Sequence, residues 1–149
     1  MILGFTGTRW GTNEAQEEIL KRLIRQYMPD NALHGGCQGS DIRFAQLCRE
    51  INPKCLIERY PGPIGDPFQG SFKDDIIHPN EKHLARNRLI VRRADVMIGT
   101  PYEYEEPSDN RAGGTWWTIR YARKVHKEII VIMRNGTIVQ NTDLAIALF

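Results

Sequence analysis

The 149-residue sequence has no long apolar run, almost no net charge and few cysteines, and each lack removes a class of protein. No stretch approaches the roughly 18 consecutive apolar residues that suggest a membrane span. Met1-Ile2-Leu3-Gly4-Phe5 is interrupted too soon by Gly, Thr and Arg to be a signal peptide. A cytoplasmic chain with no membrane partner is therefore expected. The 20 basic and 18 acidic residues leave a formal charge of +2, so the chain lacks the field by which a basic domain recruits nucleic acid. Cys37, Cys48 and Cys55 have no CxxC spacing, and the four histidines form no HExxH or HxxxH pair, so no metal site is expected. The GxGxxG and GxxxxGK[ST] patterns are both missing, which removes a standard NAD site and a P-loop. No cofactor is assigned.

What is present fits one domain over residues 1–149, since 41% hydrophobic residues suffice to fill a single core. Ile2 to Phe5 reads as a buried strand closed by Thr6-Gly7-Thr8. From Asn13 to Met28, Ala15, Ile19, Leu20, Leu23, Ile24 and Tyr27 recur at helical spacing, with Thr12 or Asn13 as cap and Pro29 beyond the end. A second strand, Asn31 to His34, runs through Gly35-Gly36-Cys37-Gln38-Gly39-Ser40-Asp41 into a helix carrying Phe44, Ala45, Leu47, Cys48 and Ile51. Lys54 to Tyr60 is a third strand, Asp95 to Gly99 a fourth and Glu128 to Met133 a fifth. Helices are expected from about Glu81 to Arg93 and from Gly113-Gly114-Thr115 through Ala122. Residues 61–80, with Pro61, Pro63, Pro67 and Pro79, and residues 100–112 read as long excursions without elements. The tail, turning at Asn135-Gly136, can add a hairpin or an edge strand.

Strands alternating with helices imply an α/β fold, an open doubly wound, mainly parallel five-stranded Rossmann-like sheet with helices on both faces. Ligands of such sheets bind beyond the carboxyl ends of the strands, where strand order reverses. Three glycine turns follow strands and should converge there: Thr6-Gly7-Thr8-Arg9, Gly35 to Asp41, and Gly113-Gly114-Thr115-Trp116. Glycine lets backbone N–H groups approach a phosphate, and each following helix adds its positive end. The candidate nucleotide-binding residues are Gly7, Thr8, Arg9, Gly35, Gly36, Gly39, Ser40, Asp41, Arg86, Asn87, Gly113, Gly114, Thr115 and Trp116. Guanidinium forks suit phosphate, with Arg86 preferred over Arg9 and Arg88. Asp41 can cap the helix or bond a ribose or base, and Trp116, Trp117, Tyr102 and Tyr104 can stack a base. The acidic residues of the second excursion matter only if it folds over the site. Cys37 sits where a helix N-terminus could lower a thiol pKa, and His78 and His83 read as surface residues.

In this order the motifs resemble the SLOG superfamily of nucleotide-binding proteins, which joins LOG phosphoribohydrolases with DprA-like proteins and small stand-alone members. The resemblance runs through Gly4 to Arg9, His34 to Asp41, Arg86-Asn87 ahead of Ala94-Asp95, and Gly114-Thr115, and covers roughly residues 2 to 133. It implies a phosphate-bearing nucleotide or nucleotide-derived signal as ligand, and homo-oligomers. For the hydrolases it further implies N-glycosidic cleavage by an arginine, at the offset of Arg86, and a glutamate. Thr118 stands where that glutamate is expected, so no catalytic residue is assigned; Arg86 and Asp41 are the candidates, with a loop glutamate as another possible carboxylate donor. A DprA-like nucleic-acid module is disfavoured by the near-neutral charge.

Overall fold

A computed structural model describes residues 1–109 and 113–141. The strands are β1 (Ile2–Gly7), β2 (Asn31–His34), β3 (Leu56–Arg59), β4 (Ile76–Ile77), β5 (Val96–Thr100), β6 (Glu128–Ile132) and β7 (Ile138–Gln140). The helices are α1 (Glu14–Tyr27), α2 (Ser40–Ile51), α3 (His83–Arg93) and α4 (Gly114–Lys124). They form one sheet in the order β4-β3-β2-β1-β5-β6-β7, parallel throughout except for β7 against β6.

The five expected strands are all present, and two short ones extend the edges. β7 is the far arm of the hairpin at Asn135-Gly136, pairing Ile132 with Ile138. β4 corrects the reading of residues 61–80 as free of elements, since Ile76 and Ile77 pair with Glu58 and Arg59. Two residues among Asp, His and Pro carry no period, so only tertiary pairing makes them a strand. The second excursion is described only to Asp109, and its residues 110–112 lie outside the described residues.

Each face of the sheet closes a core. On one, Leu3, Phe5 and Ile57 meet Leu20 and Ile24 of α1 and Phe44 and Leu47 of α2, with the Phe5 and Phe44 rings stacked 4.5 Å apart. On the other, Leu33, Met97 and Val131 meet Ile90 and Val91 of α3 and Trp116 and Ile119 of α4. Gly4 permits this second layer, because a Cβ there would lie 2.4 Å from Met97 Sδ and 2.8 Å from Ala94 Cβ. Asn13 caps α1 in a reciprocal box with Gln16, an arrangement worth about 1 kcal/mol. The buried Gln16 amide also donates to Pro101 O and Ile132 O at 2.8 and 2.9 Å, tying α1 to the ends of β5 and β6.

Residues 61–80 are held on the fold by a buried polar network. His34 pairs with Asp74 through Nε2, its Nδ1 accepts from Gly36 N, and Arg59 Nε donates to Asp74 at 2.7 Å. Burial pushes the Asp74 carboxyl up, but hydrogen bonds and charge from His34 and Arg59 outweigh it and hold it below its ordinary value. A depressed carboxylate stabilises the fold above its unfolded-state pKa of about 4, and that contribution is lost as pH falls through the folded-state value. Asp74→Asn is therefore expected to lower stability at pH 7 and to flatten the decline on acidification. Urea unfolding midpoints between pH 7 and pH 3 check both; a variant as acid-sensitive as the parent would exclude Asp74 as a contributor.

Candidate functional site

β1 is the switch point of the sheet. From it the chain builds outward through β2, β3 and β4, then returns to its other side with β5 and β6. The crevice beyond the carboxyl ends of β1 and β5 holds a cavity of about 630 Å3, within the roughly 300–1,000 Å3 of small-molecule sites. Its walls include Gly7, Thr8, Arg9, Gly35, Asp41, Arg86, Asn87 and Gly113 through Trp116. All three glycine turns reach it, by different means.

The third turn is the open one. Among the described residues, Cβ atoms placed on Gly113 and Gly114 would meet nothing within 4 Å and no side chain caps α4, whose first residues line the cavity. Such an end attracts anions through its donors and its dipole. The first turn lies beside it: Thr8 N donates to Thr100 O at 3.2 Å, and Thr8 O accepts from Ser40 N at 3.1 Å. The Arg9 guanidinium lies 4.3 Å from the Phe68 ring centre and 4.8 Å from that of Trp10, making a stacked, largely exposed platform at the rim.

The middle turn is mostly inside the wall. Gly36, Gly39 and Ser40, expected to touch phosphate, do not line the cavity. Gly39 has φ of +87°, and a Cβ there would lie 2.2 Å from Arg9 O; Gly36 has φ of +76° and packs on Arg59. Ser40 is fully buried under Gly7. These residues lock the second turn against the first. The Asp41 carboxylate is occupied likewise, accepting from Gly35 N at 3.1 Å and Cys37 N at 3.3 Å. Burial pushes its carboxyl above the ordinary range, against the opposing influence of His34, Arg86 and the two N–H donors.

Arg86 enters the site with most of its donors spent. Nη1 donates to Gly35 O at 2.6 Å and Tyr60 O at 3.0 Å, Nε donates to Asn87 Oδ1 at 2.7 Å, and Nη2 meets His83 Nδ1 at 3.3 Å. It clamps the ends of β2 and β3 from α3. Arg88 is elsewhere, its guanidinium over Trp117 and Tyr121, and it does not line the cavity. Arg93 pairs with Glu58 and the Tyr60 hydroxyl, and His78 bonds Glu58 while stacking on Tyr60. Cys37 does line the cavity, but burial first, and Asp41 second, push its thiol up to about 11, contrary to the lowering expected of a helix start.

Several lining residues had no clear signal in the sequence. Asp66 and Phe68 arrive from the first excursion, whose backbone is pinned by Gln38 N to Phe68 O at 2.7 Å and Gly70 N to Gly36 O at 2.7 Å. His83 opens α3 on the same wall. Glu103 comes from the second excursion and accepts from Trp116 Nε1 at 2.8 Å, while Tyr102, an expected base-stacking candidate, also lines the cavity. Trp116 is core and wall at once; Trp117 stacks on Tyr121, and Tyr104 does not line the cavity. Thr118 is buried and donates to Gly114 O at 2.8 Å, so the position of the expected glutamate does not reach the site.

Among solved structures the chain is similar to the molybdenum cofactor binding protein of the phototrophic bacterium Rippkaea orientalis, at 21% identity and a TM-score of 0.65, over 99% of this chain and 81% of that one. It is also similar to the structural-genomics target TM1055, at 16% identity and a TM-score of 0.59, over 91% and 75%. The fold is Rossmann-like. Identities this low establish the architecture alone. No protein-family model matches the chain, and no curated protein matches it in sequence. Among the described residues, no helix is long and apolar enough to cross a membrane, and no group of three or more His, Cys, Asp or Glu side chains could hold a metal ion.

Proposed function

We propose that the cavity binds a phosphate-bearing nucleotide or nucleotide-derived small molecule, and that the chain is a stand-alone member of the SLOG superfamily. The observation that carries this reading is the start of α4, where Gly113 and Gly114 line the same cavity as Thr8 and Arg9 and no side chain among the described residues caps the helix. Phosphate is the ligand that such donors suit, and the exposed rings of Trp10, Phe68 and Tyr102 suit a planar base. The Rossmann-like neighbour described as binding the molybdenum cofactor supports a small molecule as occupant over a macromolecule. Homo-oligomers belong to the same reading and are read out by sedimentation.

Titration calorimetry against nucleoside mono- and diphosphates, ADP-ribose and cyclic nucleotides tests it. Micromolar binding to at least one is expected, and its complete absence with the folded protein overturns the proposal. A second reading, N-glycoside hydrolysis of a nucleoside monophosphate, is favoured by Glu103, a carboxylate delivered to the wall by a loop in place of the missing helical glutamate. A carboxylate beside the sugar stabilises positive charge developing on the ribose or orients water. On this reading the protein releases free base, and Glu103→Gln lowers that release by about a hundredfold or more while leaving nucleotide affinity within a few fold. Unchanged nucleotides after long incubation leave binding as the function.

A further inference from the structure

We infer that Asp66 and His83 form a subsite for a sugar hydroxyl, which makes the occupant of the cavity a ribonucleotide; this rests on the nucleotide reading above. Asp66 Oδ1 accepts from Phe68 N at 3.0 Å, which fixes the carboxylate in its turn. Its Oδ2 has no hydrogen-bond donor among the described residues, although the side chain is only 3% exposed and belongs to the cavity wall. A buried carboxylate oxygen without a donor is costly, and it is tolerated where a ligand supplies one.

The group facing that oxygen is His83 Nε2, at 3.7 Å, too long for a hydrogen bond. Arginine has no acceptor, so the contact from Arg86 Nη2 makes His83 Nδ1 the accepting nitrogen, and the neutral ring then carries its proton on Nε2. The site thus presents one acceptor and one donor side by side with a gap between them. A hydroxyl matches both: it donates to Asp66 Oδ2 and accepts from His83 Nε2. A phosphate oxygen matches only the histidine and is repelled by the carboxylate; an amino group matches only the carboxylate. Gly62 keeps the place clear, since a Cβ there would lie 3.0 Å from His83 Cε1 and 3.2 Å from Asp66 Oδ2. Phosphate at the start of α4 and a sugar hydroxyl at Asp66 give the cavity two chemically distinct ends.

The test is calorimetric titration of the full chain with ribonucleoside 5′-mono- and diphosphates of the four bases and with their 2′-deoxy and 3′-deoxy counterparts. For whichever base binds, the ribose form is expected to bind about tenfold or more tightly than at least one deoxy form. Asp66→Asn keeps an oxygen for Phe68 N and replaces the accepting Oδ2 by a donor, so the fold should persist while the ratio falls to within about twofold. His83→Ala is expected to reduce the same ratio. Equal affinity of the parent for ribose and both deoxy forms, or a ratio retained in Asp66→Asn, overturns the hydroxyl subsite and leaves the nucleotide reading standing. Failure of every nucleotide to bind overturns both.

Discussion

Gly39→Ala is expected to cost more than about 4 kcal/mol and to leave little folded protein, whereas Gly114→Ala is expected to unfold within about 1 kcal/mol of the parent. The two glycines look alike in the sequence, each ahead of a hydroxyl residue at a helix start. At Gly39 an added Cβ would lie 2.2 Å from Arg9 O and 2.5 Å from Arg9 C, both backbone atoms of the first turn that cannot move aside cheaply. Its φ of +87° adds strain of about 1–3 kcal/mol for any other residue. At Gly114 the Cβ meets nothing within 4 Å among the described residues, and alanine suits a helix better than glycine. On the nucleotide reading the methyl group would instead stand where a phosphate would approach the N–H groups of α4. Nucleotide affinity is thus expected to fall about tenfold or more in Gly114→Ala with stability kept. Urea denaturation followed by circular dichroism, with calorimetric titration of the folded variant, separates the effects. A Gly39→Ala protein as stable as the parent would contradict the account of the second turn as packing.

Arg86→Ala is expected to destabilise the free protein by about 3–5 kcal/mol, a fall in Tm of about 10 °C. The substitution strips hydrogen bonds from Gly35 O and Tyr60 O and removes a positive charge that opposes the cost of burying the Asp41 carboxyl. It also leaves a space against Gly35, where an added Cβ would lie 2.5 Å from Arg86 Nη1. Thermal unfolding without ligand decides between two roles. A residue kept chiefly to hold phosphate is commonly neutral or unfavourable for stability when the ligand is absent, so its removal would leave Tm unchanged or raised. A clamp joining β2, β3 and α3 loses stability at once. Arg86→Lys is expected to fall between, because one ammonium cannot serve two carbonyls and Asn87 together.

The contrast between these residues explains what the sequence could convey. Alternating apolar periods located the five main strands and all four helices, because each reports one face of one element. The rule for doubly wound sheets pointed to the carboxyl ends of the strands where their order reverses, and a cavity lies there, beyond β1 and β5. The sequence does not tell a glycine that admits a ligand from one that admits another turn, since both need the missing Cβ. Gly36 and Gly39 belong to the second kind, and Gly113 and Gly114 line the cavity, as the first kind would on the nucleotide reading. Asp66, Phe68 and Glu103 were illegible for another reason: excursions carry no period, and their position depends on contacts such as Gly70 N to Gly36 O and Trp116 Nε1 to Glu103. Aspartates amid prolines, and glutamates in an acidic loop, read as solvated charge until the chain is folded. His83 reads as a surface residue from its place beside the first excursion; it is half exposed and also lines the cavity.

The two ends inferred for the cavity also limit its chemistry. Asp41 and Arg86, the catalytic candidates named from the motifs, line the cavity while hydrogen-bonding to backbone groups of the wall. On the hydrolase reading a bond-breaking step would fall to groups brought by the excursions, with Glu103 nearest in kind to the glutamate expected at Thr118.

The central claim is that a phosphate-bearing nucleotide sits at the start of α4 beside the first glycine turn. Two-dimensional amide NMR of the labelled protein, titrated with the nucleotide that binds best in calorimetry and with inorganic phosphate as a partial probe, tests it directly. The account predicts saturable shifts of the Thr8, Arg9, Gly114 and Thr115 amides with both probes, and of Asp66 and Phe68 with the nucleotide alone. Shifts confined to other surfaces, or none at millimolar nucleotide, would contradict it.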